Sequence, residues 1–173
     1  MMSPSLRSTL IAAAVALLSA TVLVVLASPA RAAGLVEVRF VQPERFGDAG
    51  RNPVERERAL SSLSAHLKEL GRQLPDGQAL KVDVLDVDLA GEEVVRNGRD
   101  LRILRGGADV PRLAVRWTLE QGGHSLRSGD DRLTDLGYLN GRIPSNASLS
   151  DLPFEKALLT RWFQERVLAG GAQ

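Results

Sequence analysis

Residues 78–89 alternate apolar and polar side chains in two phases. Leu80, Val82 and Val84 hold even positions, whereas Leu85, Val87 and Leu89 hold odd ones. Side chains along a strand point to opposite faces in turn, so one regular strand cannot bury both sets on one side. The run therefore predicts a β-bulge or kink at Val84-Leu85, or a strand covered on both faces for part of its length. With a bulge, Lys81, Asp83, Asp86 and Asp88 share a wet face, and the run reads as the central strand of a sheet.

The flanking elements follow from period and punctuation. Leu35 to Val41 places Val36, Val38 and Phe40 on one face and Glu37 and Arg39 on the other, a half-buried first strand. Asn52-Pro53-Val54-Glu55 opens a helix, with Asn52 as cap, Pro53 at the first position and Glu55 completing a capping-box pattern. Its stripe of Leu60, Leu63, Leu67, Leu70 and Leu74 spans only two heptads, so it packs on a sheet rather than forming a coiled coil. A strand, a helix and a strand in that order predict a right-handed crossover with the two strands parallel. Residues 93–110 read as a loop with a short strand near Leu101–Leu104. Arg112 to Glu120 is a strand, Gln121-Gly122-Gly123 a hairpin turn, and His124 to Leu133 the antiparallel return with a bulge at Gly129. Tyr138 to Ser150 reads as a polar loop. Phe154, Leu158, Leu159, Trp162, Phe163 and Val167 form the apolar arc of a last helix. The expected fold is α+β: a single two-layer domain with a mixed, mostly antiparallel sheet of four or five strands, in the order β-α-β-(β)-β-β-α, and two helices on one face.

The N-terminus predicts an export signal. Arg7 precedes an uncharged, mostly apolar run from Leu10 to Leu26, and Ala30 and Ala32 stand at the small-residue positions of a cleavage site. Cleavage after Ala32 leaves residues 33–173 as one domain in the periplasm or outside the cell, with no membrane span. Residues 1–32 carry Arg7 and Arg31 and no acid, so their removal turns the net charge from +1 to −1. A nearly neutral domain lacks the electrostatic footprint of a nucleic-acid binder. The chain has no cysteine, which excludes disulfides, a thiol nucleophile and any Cys-based metal centre.

Several blocks together resemble a proteobacterial family of exported proteins, domain of unknown function 3016. They are Val36-Glu37-Val38-Arg39-Phe40 with Pro43-Glu44-Arg45-Phe46, then Asp86-Val87-Asp88-Leu89-Ala90-Gly91-Glu92, then Gly107-Ala108-Asp109-Val110-Pro111-Arg112, and finally Phe154-Glu155-Lys156-Ala157-Leu158-Leu159 with Trp162-Phe163. Val110 departs from the pattern, standing where the resemblance implies Trp. The likeness covers nearly all of the mature chain. It implies an exported address and no particular activity.

Two charged groups are candidates for ligand or partner contact. Asp86, Asp88 and Glu92, with Glu93 beside them, offer oxygen ligands to a hard cation or a carboxylate pair for glycan hydrolysis. Their spacing is not that of an EF-hand, and the plainer reading is a solvated strand face. Arg96, Arg99, Arg102 and Arg105 recur at every third residue; on a helical turn they would line one side and hold phosphate or carboxylate. The plainer reading is loop charges paired with nearby acids. His66 and His124 form no metal-binding pattern, and neither a nucleophile elbow nor a phosphate loop is present. The sequence assigns no catalytic residue, metal or cofactor. It points to a non-enzymatic binding or accessory module of the cell envelope, with an envelope protein or anionic envelope component as partner. The alternative is a divalent-cation-binding or hydrolytic protein using Asp86, Asp88 and Glu92.

Overall fold

The computed structural model describes residues 34–140 and 148–171, the side chains of Arg99 and Asp100 excepted. The expected export signal at residues 1–32 lies outside the described residues. Strand β1 covers Leu35–Phe40 and helix α1 covers Pro53–Leu70. Asn52 caps the helix as its sequence requires: its Oδ1 accepts the N–H groups of Val54 and Glu55 at 3.1 and 3.0 Å. The reciprocal bond slips by one residue, since Glu55 Oε2 accepts the Arg51 N–H at 3.1 Å rather than that of Asn52.

Strand β2 covers Gln78–Asp88 and runs parallel to β1, from Leu35 opposite Ala79 to Phe40 opposite Val84. Strands β3 (Glu92–Arg96) and β4 (Arg99–Ile103) form a separate two-stranded sheet. Residues 93–110 are thus mainly a hairpin, not a loop with one short strand. The reason is local: Asn97 and Gly98 both adopt positive φ, 52° and 70°, as a tight hairpin turn demands. Strands β5 (Arg112–Gln121) and β6 (His124–Thr134) complete a four-stranded sheet of order β1-β2-β5-β6, in which only the β1–β2 pair is parallel.

The phase change in β2 is a bulge. Pairing with β5 passes from Val84–Val115 directly to Asp86–Ala114, leaving Leu85 as the extra residue. Leu80, Val82, Val84, Val87 and Leu89 are consequently all buried on one side. The second expected bulge falls elsewhere. The β5–β6 ladder shifts between Leu119–Arg127 and Glu120–Ser125, so Leu126 is the extra residue and Gly129 pairs regularly with Trp117. Gly129 is required by close approach: a Cβ there would lie 2.9 Å from Trp117 Nε1.

Helix α2 covers Pro153–Trp162 and continues as a π-helical turn, Phe163–Leu168. It begins without a side-chain cap, from Leu152 in the left-handed region at φ 54°; the capping box belongs to the preceding turn, between Ser148 and Asp151. All six residues of its expected arc are buried. They join the α1 leucines and the inward faces of β2 and β5 in one cluster, with Phe154 in a smaller neighbour beside Ala90, Val110 and Tyr138. Both helices therefore cover the same face of the sheet. Tyr138, placed in a polar loop by the sequence, is buried against Phe154, their rings edge to face with centroids 4.8 Å apart.

Candidate functional site

The end of β2 gathers four segments of the chain. Beyond the bulge, Val87 and Leu89 turn inward, and the turn Ala90-Gly91 leads into β3. The loop after β1 joins first: Asp48 N–H donates to Val87 O at 3.0 Å and Leu89 N–H to Asp48 O at 2.9 Å. Glu155, in the first turn of α2, accepts the Ala90 N–H at 2.7 Å. Gly91 N–H donates to Asp109 O at 2.8 Å. Arg102 on β4 completes the junction through Nη1, which donates to Asp48 Oδ2 at 2.9 Å, to Ala90 O at 3.2 Å and to Gly91 O at 3.0 Å, and through Nη2, which donates to Glu93 Oε1 at 2.8 Å. Gly91 has φ 86°, and a Cβ on it would stand 2.6 Å from Leu104 Cδ2. Both conditions select glycine.

The electrostatics of this junction follow from burial. Desolvation pulls the Arg102 pKa down, but hydrogen bonds and charge from Asp48 and Glu93 outweigh it and hold it above its ordinary value. Glu155 is 2% exposed, and burial pushes its carboxyl above the usual range. The N–H groups of Ala90 and of Glu155 itself, together with Arg102, pull the other way without cancelling the shift. Glu93 Oε2 is buried without a hydrogen bond and has Arg51 Nε at 3.5 Å.

The candidate acids separate into different partnerships. Asp86 Oδ1 accepts the Gly47 N–H at 2.9 Å, Asp88 Oδ2 the Arg112 Nη1 at 2.8 Å, and Glu92 Oε2 the Arg105 Nη1 at 2.7 Å. No three acidic or histidine side chains among the described residues are placed to hold a metal. The arginine row separates as well. Arg96 and Arg99 face one another across the Asn97-Gly98 turn, Arg102 lies opposite Glu93, and Arg105 lies beyond the strand. The side chain of Arg99 lies outside the described residues. His66 packs between the helices, its Nε2 at 3.0 Å from Lys156 O and 2.9 Å from Thr160 Oγ1, and burial lowers its pKa.

A cleft of about 250 Å³ adjoins the junction. Ala49, Ala59, Leu89 and Leu152 supply apolar lining, and Arg51, Glu55, Arg58 and Glu93 supply charge. Leu101 and Leu149, also in its wall, are 43% and 39% exposed. Sequence reading missed Asp48, Arg58, Glu93 as an Arg102 partner, and Glu155. It also missed Asp131 on β6, whose Oδ2 accepts both indole N–H groups, from Trp117 at 2.7 Å and Trp162 at 3.0 Å, while Oδ1 accepts Arg166 Nη2 at 3.1 Å. Only Glu155 carried a local signal, an acid in the first turn of a helix that starts on Pro153.

These features define an α+β domain in which Arg102 ties a polar junction beside a small cleft, while Asp86, Asp88 and Glu92 pair separately. The sequence matches, over residues 34–165, the family described as Protein of unknown function (DUF3016), and the chain belongs to that family. No curated protein matches it. Among solved structures it is similar to a provisionally designated lipoprotein from Caulobacter crescentus CB15, at 13% identity and TM-score 0.33 over 74% of this chain and 83% of that one. It is also similar to a minor lipoprotein from Acinetobacter baumannii, at 14% identity and TM-score 0.23 over 77% and 88%. Likenesses this distant bear on neither address nor activity. No helix among the described residues is long and apolar enough to cross a membrane.

Proposed function

We propose that this protein is a non-enzymatic accessory module of the bacterial cell envelope. Residues 1–32 direct its export and are cleaved after Ala32, and the released domain binds an envelope protein or an anionic envelope component. The observation that carries this reading is the commitment of the charged side chains. Asp86, Asp88, Glu92, Arg102 and Arg105 each hold a hydrogen bond or ion pair within the chain, Arg102 in a buried junction and the others at the surface, which favours a scaffold over a cation site or a carboxylate dyad. Arg58 in the cleft wall takes no hydrogen bond or ion pair among the described residues, and Leu101 and Leu149 stand exposed beside it. An exposed cation next to apolar side chains suits an anionic partner surface with an apolar anchor.

Crosslinked capture from native envelope tests the reading with wild-type protein, Arg58→Glu and Leu101→Asp. Specific capture by wild type that both variants lose supports it. Equal capture by all three removes the cleft from the reading, and no specific capture by wild type overturns the binding role. Mass spectrometry of the mature protein should find Ala33 at its N-terminus; residues 1–32 retained would overturn the proposed processing. Calorimetry with calcium, magnesium and manganese addresses the competing cation role. Binding tighter than about millimolar, abolished by Asp86→Ala, would replace this reading.

A further inference from the structure

Strand β1 is the first strand of the sheet and one of its two edges. Its pairing with β2 extends to Val41, whose N–H donates to Val84 O at 2.9 Å. Backbone polar groups alternate in direction along a strand, so those of Leu35, Glu37, Arg39 and Val41 point toward β2. Those of Val36, Val38 and Phe40 point outward from the sheet. A strand added at this edge would exchange hydrogen bonds with these three residues.

The side chains select the partner. Glu37 and Arg39 lie together on the open face of the sheet, two residues apart. Arg39 uses Nε and Nη2 on Asp83, at 2.8 and 2.7 Å, which leaves Nη1 for another acceptor. Glu37, opposite Lys81 on β2, takes no hydrogen bond or close ion pair among the described residues, although its charge reaches Arg39 and Lys81. Antiparallel pairing of two β1 strands about Val38 places Glu37 of each copy opposite Arg39 of the other, twice, by symmetry. It also places Leu35, which is 67% exposed, opposite Val41. Moving the axis one residue either way sets Glu37 against Glu37 or Arg39 against Arg39, which like-charge repulsion opposes. On the helix side, the edge is flanked by a groove of about 550 Å³ lined by Phe40, Pro43, Leu60, Ser61, Ser64 and Ala65. From α1 the groove also takes the longer charged side chains of Arg56, Glu57 and Lys68.

We propose that β1 is a self-complementary dimerisation edge: two copies join antiparallel about a two-fold axis at Val38, fusing their sheets into one of eight strands. The occupant of the edge is a second copy of this chain because its charge pattern is complementary to itself in that register alone. This inference is independent of the proposed cleft function.

Sedimentation velocity on the exported protein, as the cell processes it, should show a concentration-dependent dimer. Glu37→Arg and Arg39→Glu should each be monomeric, because each sets like charges opposite one another. Mixed in equal amounts, they should form a heterodimer, because the arginine introduced at position 37 then faces the glutamate introduced at position 39. Circular dichroism confirms that both variants fold. The chain has no cysteine of its own, so Val38→Cys, in an otherwise unaltered protein, tests the axis directly. It should form an intermolecular disulfide on mild oxidation, whereas Ser128→Cys on the opposite edge should not. A monomeric wild type overturns the proposal. So does a dimer that survives both charge variants, a mixture that stays monomeric, or a Val38→Cys protein that crosslinks no faster than Ser128→Cys.

Discussion

Glu155 Oε1 accepts the Ala90 N–H at 2.7 Å, across 65 residues of sequence, with Glu155 only 2% exposed. This bond fastens the start of α2 to the end of β2 and sets a carboxyl where water does not reach. Burial raises its pKa above the ordinary carboxyl value, so the folded state holds its proton at a pH where the unfolded chain has released it. Its contribution to stability is therefore fully present below the ordinary pKa and is lost as pH rises through the raised one. Glu155→Gln keeps an acceptor for Ala90 and should remove this slope from a series of urea melts in that window. Identical slopes for the two proteins would refute the assignment. Glu155→Ala strands a buried N–H and should cost about 1–3 kcal/mol.

The Asp131 carboxylate titrates in the opposite sense. Burial pushes its pKa up, but the hydrogen bonds from Trp162, Trp117 and Arg166 together hold it below the ordinary range. Its stabilisation is present above the ordinary pKa and is lost as pH falls through the depressed one. Trp117 and Trp162 are the only tryptophans, so intrinsic fluorescence reports on this carboxylate directly. The acid transition of wild-type fluorescence should lie below the ordinary carboxyl range and should move in Asp131→Asn. Asp131→Ala leaves two buried indole donors unpaired and should lose about 2–4 kcal/mol in urea denaturation. A loss under about 0.5 kcal/mol would show that water satisfies both indoles.

What the sequence disclosed and what it concealed divide along contact range. The bulge at Leu85, the Asn52 cap and the arc through Phe163 rest on neighbours within a few residues, the parallel β1–β2 pair follows from the strand-helix-strand order, and all are present. The arginine period of three looked helical because the Asn97-Gly98 turn falls inside it; once the chain reverses there, Arg96 and Arg99 become cross-strand neighbours. The acidic cluster disperses because its partners come from far away in sequence, Gly47 for Asp86 and Arg112 for Asp88. Gly129 carried a bulge signal, yet its cause is the Trp117 indole packed against it from the next strand. Burial of Glu155 arises only when two distant segments meet, and no local pattern records it.

Arg102 makes the hairpin part of the domain. Its guanidinium reaches two carboxylates and two carbonyls, Asp48, Glu93, Ala90 and Gly91, from a side chain only 15% exposed. A lysine ammonium has neither the planar fork nor the span for these four acceptors. Arg102→Lys should cost about 1–3 kcal/mol. Hydrogen exchange should localise the loss, with amides of residues 92–103 exchanging faster while those of β2 and β5 keep their protection. Uniform acceleration throughout the chain would show that the hairpin and the main sheet unfold as one unit.

The phase change in β2 makes a prediction about chain length itself. Leu85 is the one residue of β2 without a partner on β5, and Val84 and Asp86 pair with the consecutive residues Val115 and Ala114. Deleting Leu85 leaves Val84 inward, Asp86 outward and Val87 inward, the alternation of an unbroken antiparallel strand. The β1 side loses one residue of length between Val41 and the Asp48–Asp88 bridge, which the turn at Pro43–Arg45 can absorb. The deletion should therefore fold, with a midpoint in urea that corresponds to a loss within about 3 kcal/mol. Deleting Val87 instead turns an aspartate inward in either register, Asp88 with the bulge kept or Asp86 with it closed. That variant should not fold, as judged by loss of near-ultraviolet circular dichroism from Trp117 and Trp162. Equal tolerance of the two deletions would mean that the inward face of β2 does not set its register.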